Sequence, residues 1–173
     1  MAAVSLRSDY SRHVCAPYLG VIRKMDLPMS TKHGIVLLVV AGIIATSTAV
    51  AHLSCIYLGP QCYSVQMAPQ IIIESAQAGT LLAPLGTIVV AAIFLIFAAY
   101  AFSAAGLVRK LPFLKVVVNV IGILCIVRGV LPLQLWLRHP EKVSQIVLNV
   151  GLTWLAVGLC FSIGYKVVRS GRV

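Results

Sequence analysis

The sequence predicts an all-α polytopic membrane protein: an antiparallel bundle of four transmembrane helices with a short helix at its outer interface. Three observations carry that prediction. Of 173 residues, 60% are hydrophobic and 10% charged, against roughly 45–50% and about 25% in soluble domains. Four separate runs reach the about 20 apolar residues that a helix needs to cross a hydrocarbon core about 30 Å thick. The cations cluster in alternate connections, and so on one side of the runs, as orienting charges do. The composition speaks against an ordinary soluble domain, a disordered chain and a nucleic-acid-binding module.

The first segment, residues 1–33, carries Arg7, Arg12, Arg23, Lys24 and Lys32 and is expected in the cytoplasm. Span one is expected at residues 34–57. Ala49-Val50-Ala51 fits a signal-peptidase site, but the apolar run exceeds the about 7–15 residues of a signal peptide, and the segment before it is too long. The first 24 residues, ahead of Met25 and Met29, read as a loosely ordered extension. The loop from Leu58 to Gly79 contains no Lys or Arg. Within it, Pro69 and Gly79 bracket a short interfacial helix, since proline suits a helix start and glycine a helix end. Span two is expected at residues 80–108, with Pro84 in or near its first turn. Spans three and four are expected at residues 113–136 and 143–168, followed by a cytoplasmic tail, 169–173. None of the four runs alternates as a transmembrane strand would.

Sorting the cations gives the orientation. Eleven of the fourteen Lys and Arg residues lie before span one, in the turn between spans two and three or the first residues of span three, or in the last residues of span four and the tail. Arg138 and Lys142 lie on the other side, and Arg128 lies inside span three. The positive-inside rule then puts both termini in the cytoplasm. The net charge of +10 is accounted for by topology and the anionic leaflet, with no nucleic acid required.

Ionisable groups at membrane depth are costly and therefore mark candidate sites. Arg128, His52 and Glu74 all fall in the outer third of the expected bundle, and Gln77 shares a face with Glu74 at i, i+3. They admit two readings: a polar site in which Arg128 holds an anion or lipid headgroup, or an Arg128–Glu74 ion pair that locks the bundle. Gln145, Asn149 and Thr153 recur at i, i+4, i+8 and form one polar row, expected to hydrogen-bond between helices, with Asn119 joining the same interior. Ala41, Ala45, Thr48 and His52 on span one, and Ala92, Ala99, Ser103 and Gly106 on span two, read as small-residue packing seams. Tyr57, Tyr63, Trp136 and Tyr165 lie near segment ends, as interfacial anchors do.

Of the five cysteines, Cys15 is expected reduced in the cytoplasm, and Cys125 and Cys160 pack as small apolar residues. Cys55 and Cys62 flank Gly59-Pro60, whose turn can bring them within disulfide range. The alternative keeps Cys55 inside the first helix, facing a neighbour. No CxxC, HExxH, GxSxG, P-loop or GxGxxG motif occurs, and no metal or haem ligand set is visible, so no cofactor and no catalytic residue is assigned.

His52 with Ile56-Tyr57-Leu58, Pro60-Gln61-Cys62-Tyr63, Ala68-Pro69, Tyr100 to Gly106, Arg109 to Pro112 and Arg128-Gly129 together resemble a group of small four-span inner-membrane proteins of Gram-negative bacteria. That group carries no assigned activity. The resemblance covers roughly the central half of the chain and implies a bacterial inner-membrane home. The functional expectation is an accessory or structural helix-bundle protein working through the lipid bilayer, as a homo-oligomer or in a larger membrane complex. The alternative is a small oligomeric transporter or lipid/anion-binding protein using Arg128, Glu74 and His52.

Overall fold

The computed structural model describes residues 29–66 and 68–171. Most of the N-terminal segment, with Arg7, Arg12, Cys15, Arg23 and Lys24, lies outside the described residues, as does Arg172.

Every regular element among the described residues is helical: α1 (Met29–Leu58), α2 (Pro60–Val65), α3 (Gln70–Gln77), α4 (Leu82–Ala105), α5 (Leu114–Arg138), a 3₁₀ turn (Pro140–Lys142) and α6 (Gln145–Ser170). α1, α4, α5 and α6 are each long and apolar enough to cross a membrane. Their ends depart from the apolar runs where local chemistry decides. α1 begins earlier than expected, because Ser30, Thr31, Lys32 and His33 extend the helix beyond the hydrophobic run. α4 stops at Ala105 because Gly106 adopts φ 76°, and Leu107 N–H bonds Phe102 O at 2.9 Å, a left-handed glycine cap. Ser144 caps α6, its hydroxyl accepting from Val147 N–H at 3.4 Å. Ser103 is fully buried and holds the loop between α4 and α5. Its hydroxyl donates to Arg109 O and accepts from Leu111 N–H, each at 3.0 Å.

α1 packs against both α4 and α6, and α6 packs against α5, so the helices stand in the order α4, α1, α6, α5. α4 and α5, neighbours in sequence, share far fewer contacts than these pairs. Pairing is antiparallel throughout: Gly42 faces Phe102 while His52 meets Phe94, and Gly122 faces Gly158 while Gly129 faces Gly151. The main core joins Leu38, Ala41, Ala101, Ala104, Val118, Ile121, Val157 and Phe161. Many large apolar side chains on the outer faces of the long helices are exposed.

Close backbone approach sets the seams. A Cβ added to Gly129 would sit 2.5 Å from Leu155 N and 2.7 Å from Gly151 O, and one added to Gly158 would sit 2.7 Å from Ile126 N. Small residues permit this approach, which brings the helix backbones into van der Waals contact. At the end where α1 begins and α6 ends, a Cβ added to Gly34 would sit 2.9 Å from Gly164 O, a second close approach.

The small-residue stripe on α4 differs from expectation. Ala83, Thr87, Ala91, Ala98 and Ala101 are buried, whereas Ala92 and Ala99 are exposed. Alanine doublets at 91–92 and 98–99 fit two stripes one position apart, and packing against α1 selects the first.

Candidate functional site

The opposite end is organised by the α1–α2 corner. α1 closes at Leu58, and Gly59 turns the chain with φ 79°, a conformation that costs glycine little. Pro60 then opens α2 without a wasted N–H. Cys55 and Cys62 are joined by a disulfide across this corner, with Cα atoms 5.1 Å apart. Cys55 is both bonded and inside α1, where it is buried, so the two sequence readings of that residue coexist. Gln66 follows α2 and donates from Nε2 to Ala51 O at 2.6 Å.

α3 docks on the start of α4 through Ser75. Its hydroxyl accepts from Ala83 N–H at 2.9 Å and lies 2.6 Å from Thr80 Oγ1, satisfying a helix-start donor that would otherwise be orphaned. Tyr63 is buried rather than sitting as an interfacial anchor, because its hydroxyl reaches Thr87 Oγ1 at 3.2 Å. Thr87 commits its single proton to Ala83 O at 2.7 Å, so the Tyr63 phenol supplies the proton of their shared bond.

Between α1, α4 and α6 this end opens into a lateral groove of about 430 Å³, lined by Thr48, His52, Gln66, Phe94, Asn149, Thr153 and Trp154 among others. A smaller cleft of about 270 Å³ continues past His52 and Gln66 toward Tyr63, Ile72 and Thr87. His52 therefore stands at the junction of the two. Its Nδ1 lies 3.0 Å from Thr48 O. A carbonyl only accepts, so Nδ1 carries the proton, and in the neutral ring Nε2 is left as an open acceptor. Phe94 meets the His52 ring edge-on, with centroids 5.3 Å apart, and stacks on Trp154 at 5.1 Å.

The other polar groups of the groove are largely committed. Thr48 Oγ1 donates to Ile44 O at 2.8 Å, and Thr153 Oγ1 donates to Asn149 O at 2.9 Å. Asn149 Oδ1 accepts from Gln145 Nε2 at 3.3 Å, leaving the Asn149 amide protons available. The groove thus offers acceptors at His52 Nε2 and Gln66 Oε1 and a donor at Asn149 Nδ2, beside an aromatic floor. Among the described residues, no charged side chain lines it.

The residues singled out from sequence are distributed differently from expectation. Arg128, Glu74 and Gln77 are exposed. Arg128 lies on α5 in a surface groove with Leu131 and Val147, and α3, which carries Glu74 and Gln77, makes no contact with α5. No Arg128–Glu74 ion pair forms, because α3 is drawn onto α4 by Ser75 and away from α5. Of the expected polar site, only His52 occupies the groove.

Gln145, Asn149 and Thr153 do share a face of α6, but they are exposed and their hydrogen bonds run within that helix. The interhelical seams of α6 use Gly151, Gly158 and Gly164 instead. Asn119 does not join the row. It lies near the other end, beside Ser162, Tyr165 and Lys166.

Phe94, Trp154 and Gln66 are the groove residues that sequence reasoning passed over. Their one signal was an aromatic ring or amide level with His52 on a neighbouring segment, which helix register alone does not reveal. No protein-family model matches the chain, and neither a curated relative nor a solved structure matches it.

Proposed function

We propose that this chain is a multi-pass membrane protein that holds an uncharged amphiphile in the His52 groove. The observation that carries the reading is the pairing of an open His52 Nε2 acceptor with the Asn149 amide over the Phe94–Trp154 floor, in a cleft lined by no charge. A ligand pocket is typically apolar with a few convergent polar groups, and this one has that character. A hydroxyl or amide headgroup supplies both a donor for His52 and an acceptor for Asn149. A hydrocarbon or aromatic body fills the rest and enters from the lipid phase.

Four helices long and apolar enough to span support the membrane assignment. The cation distribution supports cytoplasmic termini and an outer position for the disulfide end. An oxidising outer compartment suits the Cys55–Cys62 bond, and the resemblance to small bacterial four-span proteins supports an inner-membrane home. In this reading the anion-binding alternative does not use His52, since no cation accompanies it in the groove.

Purification in mild detergent, solvent extraction and mass spectrometry test the proposal. The expected result is one uncharged lipid-soluble compound retained in near-stoichiometric amount. Thr153→Trp, which fills the groove from α6, should abolish its retention. Equal retention by wild type and variant would refute it.

An accessory role through helix contacts is the second reading. Exposed Ala92 and Ala99 favour it, being small residues seven apart with no partner seam among the described residues. Cysteine cross-linking at position 92 within native membranes tests whether a second copy or another membrane protein covers that face.

A further inference from the structure

Arg128 is the one cation inside a spanning segment that topology does not explain. On α5, Arg128, Leu131, Leu135 and Arg138 follow at steps of three, four and three and therefore share one stripe. With Pro132 and Val147 they line a surface groove of about 480 Å³ between α5 and α6. Both arginines are exposed. Among the described residues the groove contains no carboxylate, and Glu141 nearby faces His139 at 3.6 Å. Arg138 closes the helix, and Arg128 lies about 15 Å deeper by helix rise. Its stem can run along the stripe toward the headgroup level.

We infer that this groove is a binding site for one anionic phospholipid, its phosphate taken between Arg138 at the helix end and the outward-reaching Arg128, and its acyl chain continuing inward along the exposed Leu124 and Val127. An unpaired guanidinium at membrane depth demands an anion, and its planar fork matches a phosphate. The exposed apolar surface inward of Arg128, with Leu124 and Val127, demands hydrocarbon. A phospholipid supplies both, and a free phosphate supplies only the first. With no carboxylate to receive an ammonium, the site selects an anionic headgroup over a zwitterionic one.

This site rests on the membrane reading above but is independent of the His52 ligand. The test reconstitutes the full chain in vesicles of phosphatidylglycerol and phosphatidylcholine, re-extracts it and measures the lipids that remain bound. Wild type should be enriched in phosphatidylglycerol. Arg128→Gln or Arg138→Gln should each lower the enrichment about fivefold. Arg128→Lys should keep most of it, and Arg109→Gln, the same charge change in the loop between α4 and α5, should leave it intact. Unchanged enrichment in Arg128→Gln overturns the site, as does an equal loss in Arg109→Gln. Thermal stabilisation by inorganic phosphate equal to that by phosphatidylglycerol also overturns it. Release of wild type from vesicles by alkaline carbonate overturns the membrane reading and this site together, whereas a retained chain without enrichment overturns this site alone.

Discussion

Phe94 of α4 lies nearly parallel to Trp154 of α6, with ring centroids 5.1 Å apart and an interplanar angle of 17°. α4 and α6 share few other contacts, because α1 stands between them for most of their length. The stack therefore bridges two helices across the disulfide end. Phe94 also meets Phe97 edge-on at 6.0 Å and His52 at 5.3 Å. The same ring thus closes the floor of the groove and fixes the height at which His52 stands.

Removing the stack should uncouple α6 from α4. In a double-mutant cycle, Phe94→Ala and Trp154→Ala should show a coupling of about 1 kcal/mol, the range of aromatic pairs beyond their burial. Leu95→Ala, on the exposed side of α4, should change stability far less. Equilibrium unfolding in mixed detergent micelles measures all four variants, and additive single-mutant effects would show that the rings do not interact.

The disulfide pins the α1–α2 corner that places Gln66 over the groove. Closing so short a loop is worth roughly 2–3 kcal/mol in the chain-entropy account. Reduction should lower the melting temperature of wild type and leave that of the Cys55→Ser/Cys62→Ser variant unchanged. Thiol alkylation followed by mass spectrometry should find two more reactive cysteines after reduction than before it. Identical alkylation under both conditions would mean that the bond is absent.

Much of this architecture is legible in the sequence, because span-length apolar runs admit almost no other structure. The four long helices fall where those runs fall, and Gly106 and Ser144 trim them by local rules that act within a few residues. The α1–α2 corner is half legible. Gly59-Pro60 announces a turn, but nothing in Gln61-Cys62-Tyr63-Ser64-Val65 announces a helical turn after it. Destinations across the fold are the illegible part. Arg128 and Glu74 share a level in the sequence, yet Ser75 commits α3 to α4. Asn149 and Thr153 share a face, but only the packing of α1, α4 and α6 around them turns that face into a groove wall. Doublets such as Ala91-Ala92 leave the stripe ambiguous by one position, and tertiary packing resolves it.

The α5–α6 seam predicts a graded response to one added methyl group. Gly129→Ala drives its Cβ into the Leu155 and Gly151 backbone, which cannot yield without separating the helices, and should cost about 1–3 kcal/mol. Gly122→Ala meets the Ser162 hydroxyl at 2.8 Å, a side chain that can rotate away, and should cost less. Gly86→Ala meets only Ile72 Cδ1 at 3.5 Å, an ordinary contact, and should be neutral or stabilising, since alanine favours helix. Unfolding midpoints in detergent should rank Gly86→Ala, Gly122→Ala and Gly129→Ala in falling order. Any other order would contradict the seam.

The two nitrogens of His52 have separate tasks, and two substitutions separate them. Nδ1 bonds Thr48 O at 3.0 Å and orients the ring, while Nε2 faces the groove. Asparagine places an amide near the Nδ1 position and can keep the Thr48 bond, but it puts nothing at Nε2. Glutamine reaches toward the Nε2 position with an acceptor oxygen and gives up the backbone bond. His52→Asn should therefore unfold near the wild-type temperature yet retain little of the groove ligand. His52→Gln should be less stable, by about 1 kcal/mol for the lost hydrogen bond, and keep part of the ligand. Melting temperature and extracted ligand, measured on the same preparations, should move in opposite directions between the two variants. Were both quantities to fall together in each, His52 would be acting as a packing residue and not as the acceptor at the head of a binding site.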